Sequence, residues 1–217
     1  METVGAAQDL LADWTGLADS GPEAEQFGRE LIANYQHPSR RYHTTEHLRH
    51  VLRMVEQLGD QATDPVAVRY AAWFHDAIYE FKGDSGRVSN EERSARLAED
   101  VLKVLSAPSA LVAEVGRLVR LTADHRLEPG DANGAVLSDA DLAILAADPA
   151  DYERYCGQIR EEYREIPDEL FRPGRAAILQ ALLDHPAIYR TAAGRELFEE
   201  AARRNLAAEI EQLGSQS

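Results

Sequence analysis

Apolar residues along the chain recur at intervals of three and four, the spacing of one helix face, and no longer segment alternates as a strand would. Leu10, Trp14 and Leu17 form one stripe, and Phe27, Leu31 and Tyr35 form a second that Pro38 closes. A third helix is predicted over Thr45–Leu58, with Leu48, Val51, Leu52 and Val55 inward. The fourth opens with Asp64 as N-cap and Pro65 at the first helical position, and is predicted to continue through Val68, Ala72 and His75 towards Tyr79. A loop with Gly83 and Gly86 follows, and Ser89-Asn90-Glu91-Glu92 reads as a capping box opening a fifth helix through Leu97, Val101 and Leu105. The sixth stripe holds Leu111, Val115, Leu118, Thr122 and His125. A short helix is predicted from Leu137 to Leu145, and Asp148-Pro149 opens another with Tyr152, Cys156, Ile159 and Tyr163 inward. Helices from about Gly174 to Asp184 and from about Ala192 to Leu213 complete the tail. The pattern predicts an all-α, single-domain helical bundle of about ten helices over residues 1–217. Its core spans about 25–150, and the C-terminal helices, about 150–213, pack on it.

Composition narrows the partners. The 217 residues are 44% hydrophobic and 28% charged, ordinary for a globular protein. Lys plus Arg is 23 against 38 Asp plus Glu, a formal net charge of -15, which argues against a nucleic-acid surface. Cys156 is the single cysteine, so there is no internal disulfide and no multi-cysteine metal site. It is expected to be a buried, reduced thiol. No run of apolar residues approaches a membrane span, and the start lacks the marks of a signal peptide. A cytoplasmic protein without a membrane partner is expected.

The histidines carry the candidate chemistry. His37 and His185 each precede a proline at a helix end and read as surface caps, whereas His50, three residues after His47, sits beside it or faces solvent. His43, His47, His75 and His125 fall in or beside apolar stripes. A lone inward histidine is ordinarily a hydrogen-bonded core residue. Four together, with inward carboxylates, point to a metal site. The pair His75-Asp76 lies within Ala71-Ala72-Trp73-Phe74-His75-Asp76-Ala77-Ile78-Tyr79, where a buried carboxylate needs a partner. That partner is either an arginine, such as Arg69 or Arg120, or a cation. Neighbours on a helix point about 100° apart, so one ion serves both only from the angle between them.

His47, His75-Asp76 and Asp141 follow the H…HD…D order, and the chain resembles the HD-domain metal-dependent phosphohydrolases. The resemblance extends to Arg41-Tyr42-His43-Thr44-Thr45-Glu46-His47, Asn90-Glu91-Glu92-Arg93-Ser94-Ala95, Leu137-Ser138-Asp139-Ala140-Asp141-Leu142 and Ala202-Arg203-Arg204-Asn205-Leu206, where it looks like a bacterial branch of predicted phosphohydrolases. It implies an all-helical core that binds a metal through His47, His75, Asp76 and Asp141 and hydrolyses a phosphate ester. Two imidazoles and two carboxylates suit Mn, Fe, Ni, Co or Zn. The family pattern HDxxED places acidic proton-transfer groups after the dipeptide. Here Tyr79 replaces the first and Glu80 matches the second, one helical turn beyond Asp76. Arg41, Lys82 and Arg126 adjoin site elements and are the candidates for phosphate. His43 and His125 exceed the minimal pattern; they bind a second metal, contact phosphate or hold the ligands by hydrogen bonds.

A helical wheel chooses between the neighbouring aspartates. With Leu137 at zero, Asp141 falls near 40°, among Ile144 and Leu145, and Asp139 near 200°. Asp141 is therefore expected inward and Asp139 in water. The functional expectation is hydrolysis of a small phosphorylated molecule such as a nucleotide. Two alternatives stand: a di-iron oxygenase of HD-like type, and a non-catalytic metal- or nucleotide-binding regulatory module.

Overall fold

The computed structural model describes residues 4–18, 20–80 and 88–215. Among them the stripes become ten α-helices with no strand, an all-α single-domain bundle. In α1 (Val4–Ala18) and α2 (Pro22–Tyr35) the seam is set by Trp14, fully buried, whose indole N–H donates to the Ala24 carbonyl at 2.7 Å. Gly28 is required there, because a Cβ would run into the Trp14 ring. The helices α3 (Thr45–Leu58), α4 (Pro65–Phe74) and α7 (Ala132–Leu142) pack on one another. The pair α5 (Asn90–Val104) and α6 (Ser109–Leu121) covers the other side of α4. Apolar almost all round, α4 is the buried centre of this layer. The second layer comprises the 3-10 turn Ala143–Ala146, α8 (Pro149–Glu162), α9 (Asp168–Asp184) and α10 (Ala192–Ser215) around its own apolar cluster.

The capping signals work as read. Asp64 accepts from the Ala67 amide at 3.0 Å and Ser89 from the Glu92 amide at 3.2 Å. Four elements differ from the sequence expectation. Helix α4 ends at Phe74 rather than continuing to Tyr79: the Asp76 amide donates to the Tyr35 hydroxyl (3.3 Å) and the Ile78 amide to Ser94 Oγ (2.9 Å) instead of to carbonyls one turn back, and Arg40 holds the Asp76 and Ala77 carbonyls (2.8 and 3.1 Å). Helix α6 ends at Leu121, and His125 lies beyond it at φ 53°, the left-handed region. Helix α7 starts five residues early, capped by Asp131 on the Gly134 amide at 2.9 Å. Helix α9 starts at Asp168 and carries Pro173 inside it, so Pro173-Gly174 is not its start. No helix among the described residues is long and apolar enough to cross a membrane. Cys156 is half-buried and unpaired, and burial pushes its thiol up to about 12.

Candidate metal centre

Three elements of the first layer converge on one point. His47 comes from the first turn of α3, His75 from the C-cap of α4 and Asp141 from the end of α7. His47, His75 and Asp141 each offer a ligand atom within 4.8 Å of the others, a group that can hold a metal ion. The two Nε2 atoms stand 3.0 Å apart, and Asp141 Oδ1 lies 3.3 Å from His47 Nε2 and 3.7 Å from that of His75. Asp76 Oδ2 lies 3.4 and 3.2 Å from the same two nitrogens. His75 keeps a right-handed helical backbone (φ -53°, ψ -39°), and the Asp76 carboxylate meets its Nε2 in the angle between the two side chains.

His75 is oriented from behind, whereas the buried Nδ1 of His47 has no hydrogen-bond partner among the described residues. His75 Nδ1 donates to the Ala72 carbonyl at 2.8 Å, which leaves the Nε2 lone pair facing the cluster. Arg40, nearly buried, grips the His43, Asp76 and Ala77 carbonyls and so ties the two histidine segments together. Arg69 pairs with Asp13, and Arg120 with Glu92 and Glu99, so neither arginine is the partner of Asp76. Burial opposes charge on His47, yet Asp141 and Asp76 raise it to about 9. Burial likewise opposes charge on His75, which Asp76 raises. Burial would lift both carboxyls, but the histidines hold Asp76 and Asp141 well below the usual carboxylate range. The pocket favours positive charge, and its nitrogen and oxygen donors can hold a metal ion.

Two further histidines flank the cluster. His43 Nε2 is 4.0 Å from Asp76 Oδ2, and its Nδ1 donates to Glu162 Oε2 at 2.6 Å. The other oxygen of Glu162 accepts the backbone N–H groups of Arg41, Tyr42 and His43 at 2.7, 2.9 and 3.1 Å. Burial would raise Glu162, but His43 and those amides lower it to about 2. His125 Nε2 lies 3.6 Å from Asp141 Oδ2, with Ser138 Oγ 3.0 Å from Nδ1. Its left-handed backbone is an uncommon conformation for a side-chain-bearing residue, here located at the cluster.

Other expectations are corrected. Asp139 is not in water: it is fully buried, and its carboxylate accepts the Arg190 and Thr191 amides (2.7 and 2.8 Å) and the Thr191 hydroxyl (2.7 Å). Both sides of α7 are covered, so the wheel's polar side faces the start of α10. Gly194 is required against Asp139, where a Cβ would collide with the carboxylate. Glu80 is exposed and off any helix, with Oε1 3.2 Å from Arg93, in a recess of about 650 Å³ that it shares with Arg40 and Glu162. Glu80 therefore does not sit one helical turn from Asp76 on a shared helix face. Arg41 directs its guanidinium to the Pro38 and Arg40 carbonyls. Arg126 is exposed, 3.5 Å from Asp124, on the wall of a cavity of about 1620 Å³ that His43 and His125 also line. Lys82 lies outside the described residues. His37 is exposed and bonded to Ser39, and His185 is exposed at the end of α9. His50 is half-buried, and burial together with His47 pushes it down to about 4.

Sequence reasoning missed Glu162. The signal was present: Tyr152, Tyr155, Ile159 and Glu162 are spaced three, four and three apart, so the carboxylate ends an apolar stripe. No protein-family model matches the chain, and no curated protein matches it.

Proposed function

We propose that the chain is a metal-dependent phosphohydrolase of the HD-domain type that cleaves a phosphate ester of a small molecule. The observation that carries this reading is the convergence of His47, His75, Asp76 and Asp141 beside a cavity of about 1620 Å³. These four residues would hold a divalent ion of Mn, Fe, Ni, Co or Zn. When bound, such an ion polarises a phosphoryl oxygen and makes a water acidic enough to supply hydroxide near neutral pH. Arg40 and the Ala72 carbonyl keep the ligand atoms of Asp76 and His75 aimed before substrate arrives. Arg126 stands on the cavity wall where a phosphate oxygen can reach it. Glu162 keeps the Nδ1 proton of His43 in place, so Nε2 is the atom through which His43 passes a proton to or from the cavity. This geometry favours His43 over Glu80 for proton transfer.

The test is orthophosphate release from a panel of phosphate esters, with each of the five metals supplied in turn. Metal-dependent release that Asp141→Ala abolishes is expected. No release with any metal overturns the reading and favours the non-catalytic module. Two irons per chain with a visible absorption band overturn it in favour of the oxygenase.

A further inference from the structure

The cavity beside the histidines has two unlike kinds of lining. His43, His125 and Arg126 form the polar part. The apolar part comprises Tyr155 and Ile159 of α8 and Leu170, Phe171, Ile178 and Leu182 of α9. Helix α9 is unusual for an amphipathic helix, since Leu179 is its only fully buried residue. Leu170 is 66% exposed and Ile178 61% exposed, although both face the cavity. An open apolar wall beside a candidate metal centre is the mark of a ligand groove, and His43 and His125, which line the same cavity, lie 4.0 and 3.6 Å from Asp76 and Asp141.

Charge along the wall points the same way. Among the described residues, Arg126, Arg175 and Arg190 are the arginines that line the cavity, opposed by Asp124, Glu128 and Asp131. Arg175 is committed to Glu209 at 2.8 Å and to the Tyr155 hydroxyl at 3.1 Å. Arg126 stands beside Asp124. A di- or triphosphate calls for several charge-assisted contacts, and this wall offers few.

We propose that the substrate is a phosphomonoester with an extended apolar body, which lies between α8 and α9 while its phosphate reaches the His/Asp cluster. The proposal rests on the phosphohydrolase reading for the word substrate, but the groove can be tested without turnover. In the first arm, the metal-loaded protein is given ethyl, butyl, hexyl and octyl phosphate and adenosine monophosphate, all below micelle-forming concentrations. The kcat/KM is expected to rise along the alkyl series, up to about fourfold for each fully buried methylene. Ile178→Asp and Leu170→Asp, both at exposed positions, are expected to lower the octyl-to-ethyl ratio about tenfold.

The second arm is calorimetry with octylphosphonate and methylphosphonate, which need no hydrolysis. Binding of the octyl compound at least tenfold more tightly, with that advantage lost in Ile178→Asp, supports the groove even if no ester is cleaved and the hydrolase reading fails. If esters are cleaved, a flat alkyl series, adenosine monophosphate used as efficiently as octyl phosphate, or a ratio that the variants leave unchanged overturns the proposal. Equal binding of the two phosphonates overturns it in either case. So does a dimer that buries α9, seen as a concentration-dependent mass that Ile178→Asp abolishes.

Discussion

The α1–α7 layer and the α8–α10 layer are both helical, but they are packed for different tasks. In the first, Trp14, Tyr35, Trp73 and Phe74 are fully buried, and Trp14 meets Trp73 and Phe74 edge-on at 5.3 and 5.7 Å. In the second, α9 packs mainly against α10 and keeps most of its apolar side chains at a cavity. His47, His75, Asp76 and Asp141 belong to the first layer, where dense packing and Arg40 restrict their movement. The second layer supplies the cavity wall and one long-range clamp, Glu162, on the backbone of residues 41–43. The difference teaches that aim and capacity are separated: a close-packed layer fixes the atoms, and a loosely covered one leaves room beside them.

The largest expected effect tests the division inside α7. Asp141→Ala should abolish metal binding, whereas Asp139→Ala should keep the metal and lose stability. Removing the Asp139 carboxylate strands two backbone amides and the Thr191 hydroxyl, each bonded to it, at a cost of about 2–4 kcal/mol. Elemental analysis and denaturant unfolding of the two variants read the two effects separately. Equal metal loss in both would erase the distinction between the side of α7 that faces the cluster and the side that faces α10.

A second test compares the layers directly. Trp73→Ala in the dense layer should cost about 3–5 kcal/mol in chemical denaturation, through the cavity it leaves. Leu170→Ala in the open layer should stay within about 0.5 kcal/mol, since the residue is exposed. Similar losses would mean that α9 is packed as tightly as the core.

The clamp between the layers has a pH signature. Glu162 titrates at about 2 in the folded protein against an ordinary value of 4.5. Its stabilisation is therefore complete above about pH 4.5 and is lost as pH falls towards 2. At full strength it is worth on the order of 3 kcal/mol. Glu162→Gln should be less stable at neutral pH, and the gap to the parent should close between pH 4.5 and 2 in thermal unfolding. A gap that stays constant over that range would show that the carboxylate charge is not what holds residues 41–43.

The smallest expected effect belongs to Glu80. Exposed and paired with Arg93, Glu80→Gln should change metal content and turnover by less than about twofold. A larger fall in turnover with metal retained would restore the proton-transfer role that the family pattern implies.

Local periodicity made the helices legible. The bounds of α3, the caps Asp64 and Ser89 and the inward side of Asp141 all follow from residues within a few positions of one another. Helix stripes and caps are local devices, so one stretch of sequence is enough to read them. What only the tertiary structure decided depends on partners far along the chain. Tyr35, 41 residues back, and Ser94, 16 residues on, take the amides of Asp76 and Ile78 that would continue α4, and Arg40 holds carbonyls 36 and 37 residues away. Asp139, on the polar side of its wheel, is buried by amides 51 and 52 residues on. Glu162 reaches backbone groups about 120 residues away. A buried carboxylate or carbonyl must be satisfied, but elementary chemistry states only that a partner is needed. Which partner meets it is decided by how the helices pack on one another.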